Sequence, residues 1–260
     1  MPMTNDINSR LDNEVFREWK QKVNKEEEDK HFTYDGLMYY QQSPDKLTKA
    51  WETSQRRVLF LLRDQNQHRK KGEPTWNEDI RESYLKNEDN RNLTSSFMQY
   101  LGYFLWSLSK IDVNNDWWLN EVKLHIEEVK KFFITQPFAL IECKKVPGDG
   151  TVDKNVVEHH LQEYGDLLQK EIRILNPNII VCAGGEIYEF MIHDSYLSNG
   201  LVKEEDGQNY YYSPVYDTVI IYSDHPGSQM YKGGRTHLTE DLYEGVMYHY
   251  RKFIKYKASL

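Results

Sequence analysis

The 260-residue chain has only two cysteines, Cys143 and Cys182. Two thiols alone do not complete a four-thiolate zinc or iron–sulfur site. Both sit in apolar runs, where cysteine acts as a small buried hydrophobe. No stretch approaches the roughly 20 apolar residues of a membrane span, and the first residues hold no apolar signal segment. An intracellular, cytoplasmic location without membrane contact is therefore expected. Positive charge is also in short supply: the net charge is −8. That excess argues against coating nucleic acid through bulk electrostatics, but leaves room for a local phosphate-binding face. Aromatic residues, in contrast, are plentiful: 19 tyrosines and six tryptophans, enough both to fill a core and to offer flat faces to a base or sugar.

The length suits one generous domain, and no repeat, low-complexity linker or composition break divides it. Residues 1–55 read as a helical extension packed on that domain. Val15, Phe16 and Trp19 recur at helical spacing beside the charged run Glu26-Glu27-Glu28-Asp29, and a second short helix fits 45–55. Four apolar runs follow, at 58–62, 138–143, 179–183 and 218–222. Each has the length and apolar character of a strand buried on both faces. Between them lie helical patterns over 92–110 (capped by Thr94 or Ser95), 117–132, 155–175 and 186–193, and a last one over 238–256. The alternation predicts an α/β fold: a three-layer α/β/α sandwich around a central four-stranded, mainly parallel sheet. The Tyr210-Tyr211-Tyr212 stretch reads as a further strand-like segment exposing alternate rings, without a function attached.

In such sheets, ligands bind beyond the carboxyl ends of the strands. The polar loops expected there begin after Leu62, Cys143, Ala183 and Tyr222. Asp64 stands two residues beyond the first apolar run and His225 three beyond the last. A carboxylate at a sheet edge can orient a water or stabilise a developing cation, and a histidine opposite can donate to an oxygen gaining negative charge. Hydrolysis of an N-glycosidic bond needs both. Gly184-Gly185 lacks the G-x-G-x-x-G spacing of a dinucleotide site.

Leu62-Arg63-Asp64-Gln65, the segment 176–185 (NPNIIVCAGG) and His225-Pro226-Gly227-Ser228 occur in an order that resembles the uracil-DNA glycosylase superfamily. The resemblance spans about 58–235 and excludes the iron–sulfur branch, which carries four cysteines. It implies a DNA glycosylase acting on an extruded uracil, mismatched or modified base, in repair or in defence against foreign DNA, with no metal or organic cofactor and as a monomer. It puts Asp64 in the water-activating role and His225 beside the departing base. Glu142 stands near where many branches place a base-reading Asn, and a carboxylate there favours an amino-bearing face, such as cytosine, over the uracil edge. Phe97 matches a base-stacking aromatic, and Asn66 joins the base pocket. His68, Arg69, Lys70 and Lys144, with Lys145, would face phosphates from two loops. Ser228, Met230, Tyr231, Lys232 and Arg235 would meet the duplex, with Met230 or Tyr231 as a wedge. Leu62, Gln65 and Gly227 depart from the family pattern. Two alternatives therefore stay open: a silent member that binds DNA or a protein, and a hydrolase of free nucleosides.

Overall fold

The computed structural model describes residues 6–26, 32–66, 79–148, 152–203, 210–225 and 240–260. The chain opens with α1 (Ile7–Leu11), a π-helical turn (Asp12–Phe16) and α2 (Arg17–Glu26), which run on as one helical segment. Asp6 caps its start by accepting from the Ser9 amide. Next come β1 (Gly36–Met38) and α3 (Pro44–Thr53), with Pro44 at a first-turn position where its missing N–H costs nothing. The strand β2 (Val58–Asn66) leads to α4 (Ile80–Lys86), α5 (Glu88–Arg91) and α6 (Ser96–Lys110). Ser95 is the cap of α6, accepting from Met98 N. The helix expected over 117–132 is two helices, α7 (Leu119–Leu124) and α8 (Ile126–Thr135), broken at His125.

β3 (Phe138–Gly148) precedes the long α9 (Lys154–Leu175). Asn176 ends α9 in the left-handed conformation at φ 48°, and Pro177 follows, so the Asn-Pro pair acts as the expected stop. Then come β4 (Ile179–Ala183), α10 (Gly185–His193), β5 (Val202–Lys203), β6 (Tyr210–Ser213), β7 (Thr218–Ser223) and α11 (Glu240–Ala258).

The fold is α/β, but the sheet is a mixed one of seven strands, in the order β1-β3-β2-β4-β7-β6-β5. The four expected strands are its centre, and β3, β2, β4 and β7 are mutually parallel. The expectation of four strands in all is corrected by antiparallel additions at both edges: β1 on β3, and the β6–β5 pair on β7. β1 and β5 are too short to leave a periodic pattern. They exist because a long neighbour offers an unpaired edge. The segment before β2 therefore supplies a strand as well as helices.

Alternation along the strands separates two cores. Val58, Phe60 and Leu62 face a core shared with α6, α7, α8 and α11, whereas Leu59 and Leu61 face one shared with the N-terminal helices, α3, α9 and α10. Helices thus cover both faces, which is why the central runs are apolar throughout. The tyrosine triplet follows the same rule: Tyr210 and Tyr212 are buried against Phe253 of α11, and Tyr211 packs from the other face near Tyr188.

Candidate active site at the carboxyl edge of the sheet

The chain passes from β2 to β3 on one side, then returns to β4 on the other side of β2. This reversal makes the carboxyl ends of β2 and β4 a topological switch point, where open α/β sheets form their ligand crevice. Asp64 and Arg63 end one wall of it, and Gly184, Gly185 and Glu186 begin the other.

β2 and β3 run further than their apolar stretches. Asp64 lies inside β2, in register with Lys144, and Leu62 is in register with Glu142. With a period of two, Asp64, Glu142 and Lys144 share the face of Phe60 and Leu140. Lys144 Nζ lies 3.1 Å from Asp64 Oδ2, with side chains only 9% and 4% exposed, and it also donates to the Val146 carbonyl. Burial raises the Asp64 carboxyl above its ordinary value, against the pull of the Lys144 and Arg63 cations. Lys144 was expected on a phosphate-facing loop; it is instead a buried strand residue that holds Asp64.

Glu142 is buried, and its Oε2 has no hydrogen-bond partner. Burial first, then the nearby carboxylates of Asp35 and Asp64, pushes its acid well above the ordinary range. A protonated Glu142 would present one donor and one acceptor, as an amide does.

On the opposite face, Lys145 Nζ is fully enclosed, 2.5 and 2.6 Å from the two oxygens of Asp35 and 2.9 Å from Glu171 Oε2. The rings of Phe16 and Trp19 lie 5.2 and 5.1 Å from the same ammonium. The N-terminal helical segment thus closes over the end of β3. Asp35 Oδ2 also accepts from the Glu142 amide at 2.7 Å, tying the strand that carries Glu142 and Lys144. Lys145, too, was expected on the phosphate-facing loop and is a buried strand residue.

Across the switch point, Arg63 donates to Glu186 through Nε to Oε1 at 2.5 Å and through Nη2 to Oε2 at 3.1 Å. The Glu186 side chain is 3% exposed and that of Arg63 26%. Gly184, at φ +150°, lets the two meet: a Cβ there would stand 3.0 Å from Glu186 Oε1 and 3.1 Å from Arg63 Nε.

His225 stands two residues past the end of β7. β4 separates β7 from β2, so the strand ends carrying His225 and Asp64 are about two sheet spacings apart, roughly 10 Å. Burial and then the Arg63 cation lower the His225 imidazole to about 4, so it is neutral near pH 7. Arg63 therefore acts electrostatically on both Asp64 and His225.

Phe97 begins α6 as a half-buried ring packed on the core, edge-on to Tyr84 at 6.4 Å. Asn66 is the last residue of β2, paired with Gly148 across a register shift. His68, Arg69, Lys70, Ser228, Met230, Tyr231, Lys232 and Arg235 lie outside the described residues. The sequence reading missed Arg63, Glu186, Asp35 and Glu171. Arg63 had a local signal, being next to Asp64 at the end of an apolar run. The partners of Asp35 are more than 100 residues away, and no local pattern shows them.

Among the described residues, no group of three or more His, Cys, Asp or Glu side chains could hold a metal ion, and no helix is long and apolar enough to cross a membrane. Comparison with protein-family models found no match, and comparison with curated proteins found none.

Proposed function

We propose that the protein hydrolyses the N-glycosidic bond of an extruded nucleotide in DNA, with Asp64 and His225 as its catalytic pair. One observation carries this reading: a carboxylate and a neutral imidazole flank the switch-point strand at one carboxyl edge. The order of motifs around them supports it. In the reaction, the C1′–N bond breaks with its electron pair going to the base nitrogen. Asp64 stabilises the cationic sugar and accepts a proton from the water whose oxygen bonds to C1′. His225 stays neutral and donates a hydrogen bond to the base oxygen that gains charge. The free base then takes a proton from solvent.

The test is a base-release screen on oligonucleotides carrying uracil, mismatches and bulky modified cytosines. Asp64→Asn and His225→Ala are each expected to lower release at least about 100-fold. Unchanged release in both variants would remove the assignment. A second reading, a silent DNA- or protein-binding member, draws on the burial of the Asp64 side chain, already paired with Lys144. Tight DNA binding without release of any base would favour it. Cleavage of free nucleosides without affinity for DNA would assign a nucleoside hydrolase instead.

A further inference from the structure

The amino edge of the sheet, opposite the crevice, carries a second concave site. A cavity of about 330 Å³ lies there, between α1, α3 and the junction of α9 with β4. Arg57 precedes β2 and Asn176 precedes β4, and the first residues of those strands, Val58 and Ile179, are in register. Arg57 stands roughly 20 Å from Asp64 along the strand, so no small ligand touches both sites. Three guanidiniums line the cavity, those of Arg10, Arg57 and Arg173, against one carboxylate, Glu52. The local excess is positive in a chain whose net charge is −8.

Two of the three are held without a bonded carboxylate among the described residues. Arg57 donates from Nε to the Asn176 carbonyl at 2.6 Å and from Nη1 to the Ser54 carbonyl at 3.1 Å. Answering carbonyls at the end of α9 is one task of this cation. It leaves both donors of Nη2 and the second of Nη1 uncommitted among the described residues. Burial lowers its guanidinium from the ordinary value, and the Asp217 carboxylate that works the other way is itself paired with Lys257. Arg173 lies over the Tyr196 ring at 3.9 Å, an aromatic rather than an anionic support. Arg10 meets Glu14 only through Nε, at 3.3 Å. The walls are tied together: the buried Trp51 donates from Nε1 to the Leu175 carbonyl at 2.6 Å, and the Ile7 amide donates to Thr48 Oγ1 at 3.1 Å. We propose that this cavity binds a dianionic phosphate group, that of a small monoester or of free phosphate, on the forks of Arg57 and Arg173 with Arg10 at the rim. Planar guanidiniums with uncommitted donors match phosphate oxygens in shape as well as charge. The volume, at the low end for small-molecule sites, suits a ligand the size of a sugar phosphate. This site does not depend on the glycosidic reading.

Calorimetric titration of the intact chain with ribose 5-phosphate, inorganic phosphate and ribose, beside a short DNA duplex and at one ionic strength, tests it. Saturable binding of ribose 5-phosphate, with none of ribose, is expected. Inorganic phosphate binding as tightly as the ester would make free phosphate the ligand; tighter binding of the ester would make it the monoester. Arg57→Gln and Arg173→Gln are each expected to weaken binding at least about tenfold, the loss of a charge-assisted bond. Arg10→Gln should weaken it less, because Glu14 already shares that side chain. Glu52→Gln should tighten it, because it removes the carboxylate from the lining. Urea unfolding shows whether each variant is folded; if Arg57→Gln is not, the exposed Arg173 decides the outcome. Phosphate binding that survives Arg173→Gln at full strength, or that Glu52→Gln weakens, would overturn the site. Binding of the duplex alone, lost in Arg173→Gln, would overturn it too and give these arginines to a nucleic-acid backbone. None of these results bears on base release at the carboxyl edge, which a separate assay reads.

Discussion

Lys144 Nζ and Asp64 Oδ2 meet at 3.1 Å between adjacent parallel strands, at a position where both side chains are almost sealed from solvent. Removing one member of such a pair leaves an uncompensated buried charge, which typically costs about 3–5 kcal/mol. Lys144→Met is therefore expected to destabilise the fold by about that much near pH 7. The penalty should shrink on acidification, because burial already raises the Asp64 carboxyl and loss of Lys144 raises it further, so the group protonates sooner. Urea unfolding at pH 7 and near pH 5 measures both. A cost that does not change with pH would show that Asp64 is not the charge left behind.

The buried triad on the other face makes a contrasting prediction for two carboxyls that touch the same lysine. Burial, then the Asp35 carboxylate, pushes Glu171 well above the ordinary range, which favours its neutral acid. Glu171→Gln replaces it with a neutral group of similar shape and is expected to cost less than about 1.5 kcal/mol. Asp35→Asn removes the charge facing Lys145 and is expected to cost about 3 kcal/mol or more. The raised carboxyl also sets a slope. Its contribution to stability is complete below the unfolded value near 4.5 and is lost as pH rises through the folded value. Glu171→Gln should flatten that decline in a series of melting curves across pH. Equal costs for the two variants would mean that Glu171 carries the charge.

The central sheet was legible because burial on both faces leaves its mark on every residue of a strand. Val58 to Leu62 and Ile179 to Ala183 have no polar positions to confuse the pattern. The ends of β2 and β3 were not legible, because Asp64 and Lys144 neutralise each other across the ladder. Hydrophobicity stops there while the backbone pairing goes on. For the same reason Asp64 looked like a loop residue and Lys144 like a free surface cation. The edge strand β1 was invisible for another reason: its three residues gain their pairing only from Phe138 to Leu140, about 100 residues away. Asp64 and His225 could be picked because a polar residue just past an apolar run marks a strand end. Glu186 had no such mark, since one glutamate at a helix start is unremarkable until Arg63 is seen opposite.

The two adjacent glycines at the switch point are expected to behave differently. An alanine at 184 would have to adopt φ near +150° and would set a methyl about 3 Å from both members of the Arg63–Glu186 pair. Gly184→Ala is expected to cost about 1–3 kcal/mol. Nothing lies within 4 Å of a Cβ at 185, which opens α10. Gly185→Ala should leave stability unchanged or raise it by up to about 1 kcal/mol, because alanine loses less entropy in a helix. Chemical denaturation of the two variants side by side decides this. Similar costs at both positions would mean that the crevice does not depend on the close approach at Gly184.

His225 supplies a prediction that needs no substrate. Its imidazole is pushed down to about 4, first by burial and then by the Arg63 cation. Protons bind the unfolded histidine near 6.5 but bind the folded one only near 4. The stability it contributes is therefore complete above about 6.5 and is lost as pH falls from there to about 4. Histidine side-chain NMR should show one ring that stays neutral through pH 5. In Arg63→Gln the same ring is expected to titrate at higher pH, though still below the ordinary value, because burial remains the larger cause. A His225 ring that titrates near 6.5 in the wild type would mean it is charged when a glycosidic bond breaks at mildly acid pH, and the neutral-donor role would fail. No change in Arg63→Gln would show that the Arg63 cation does not act on this imidazole.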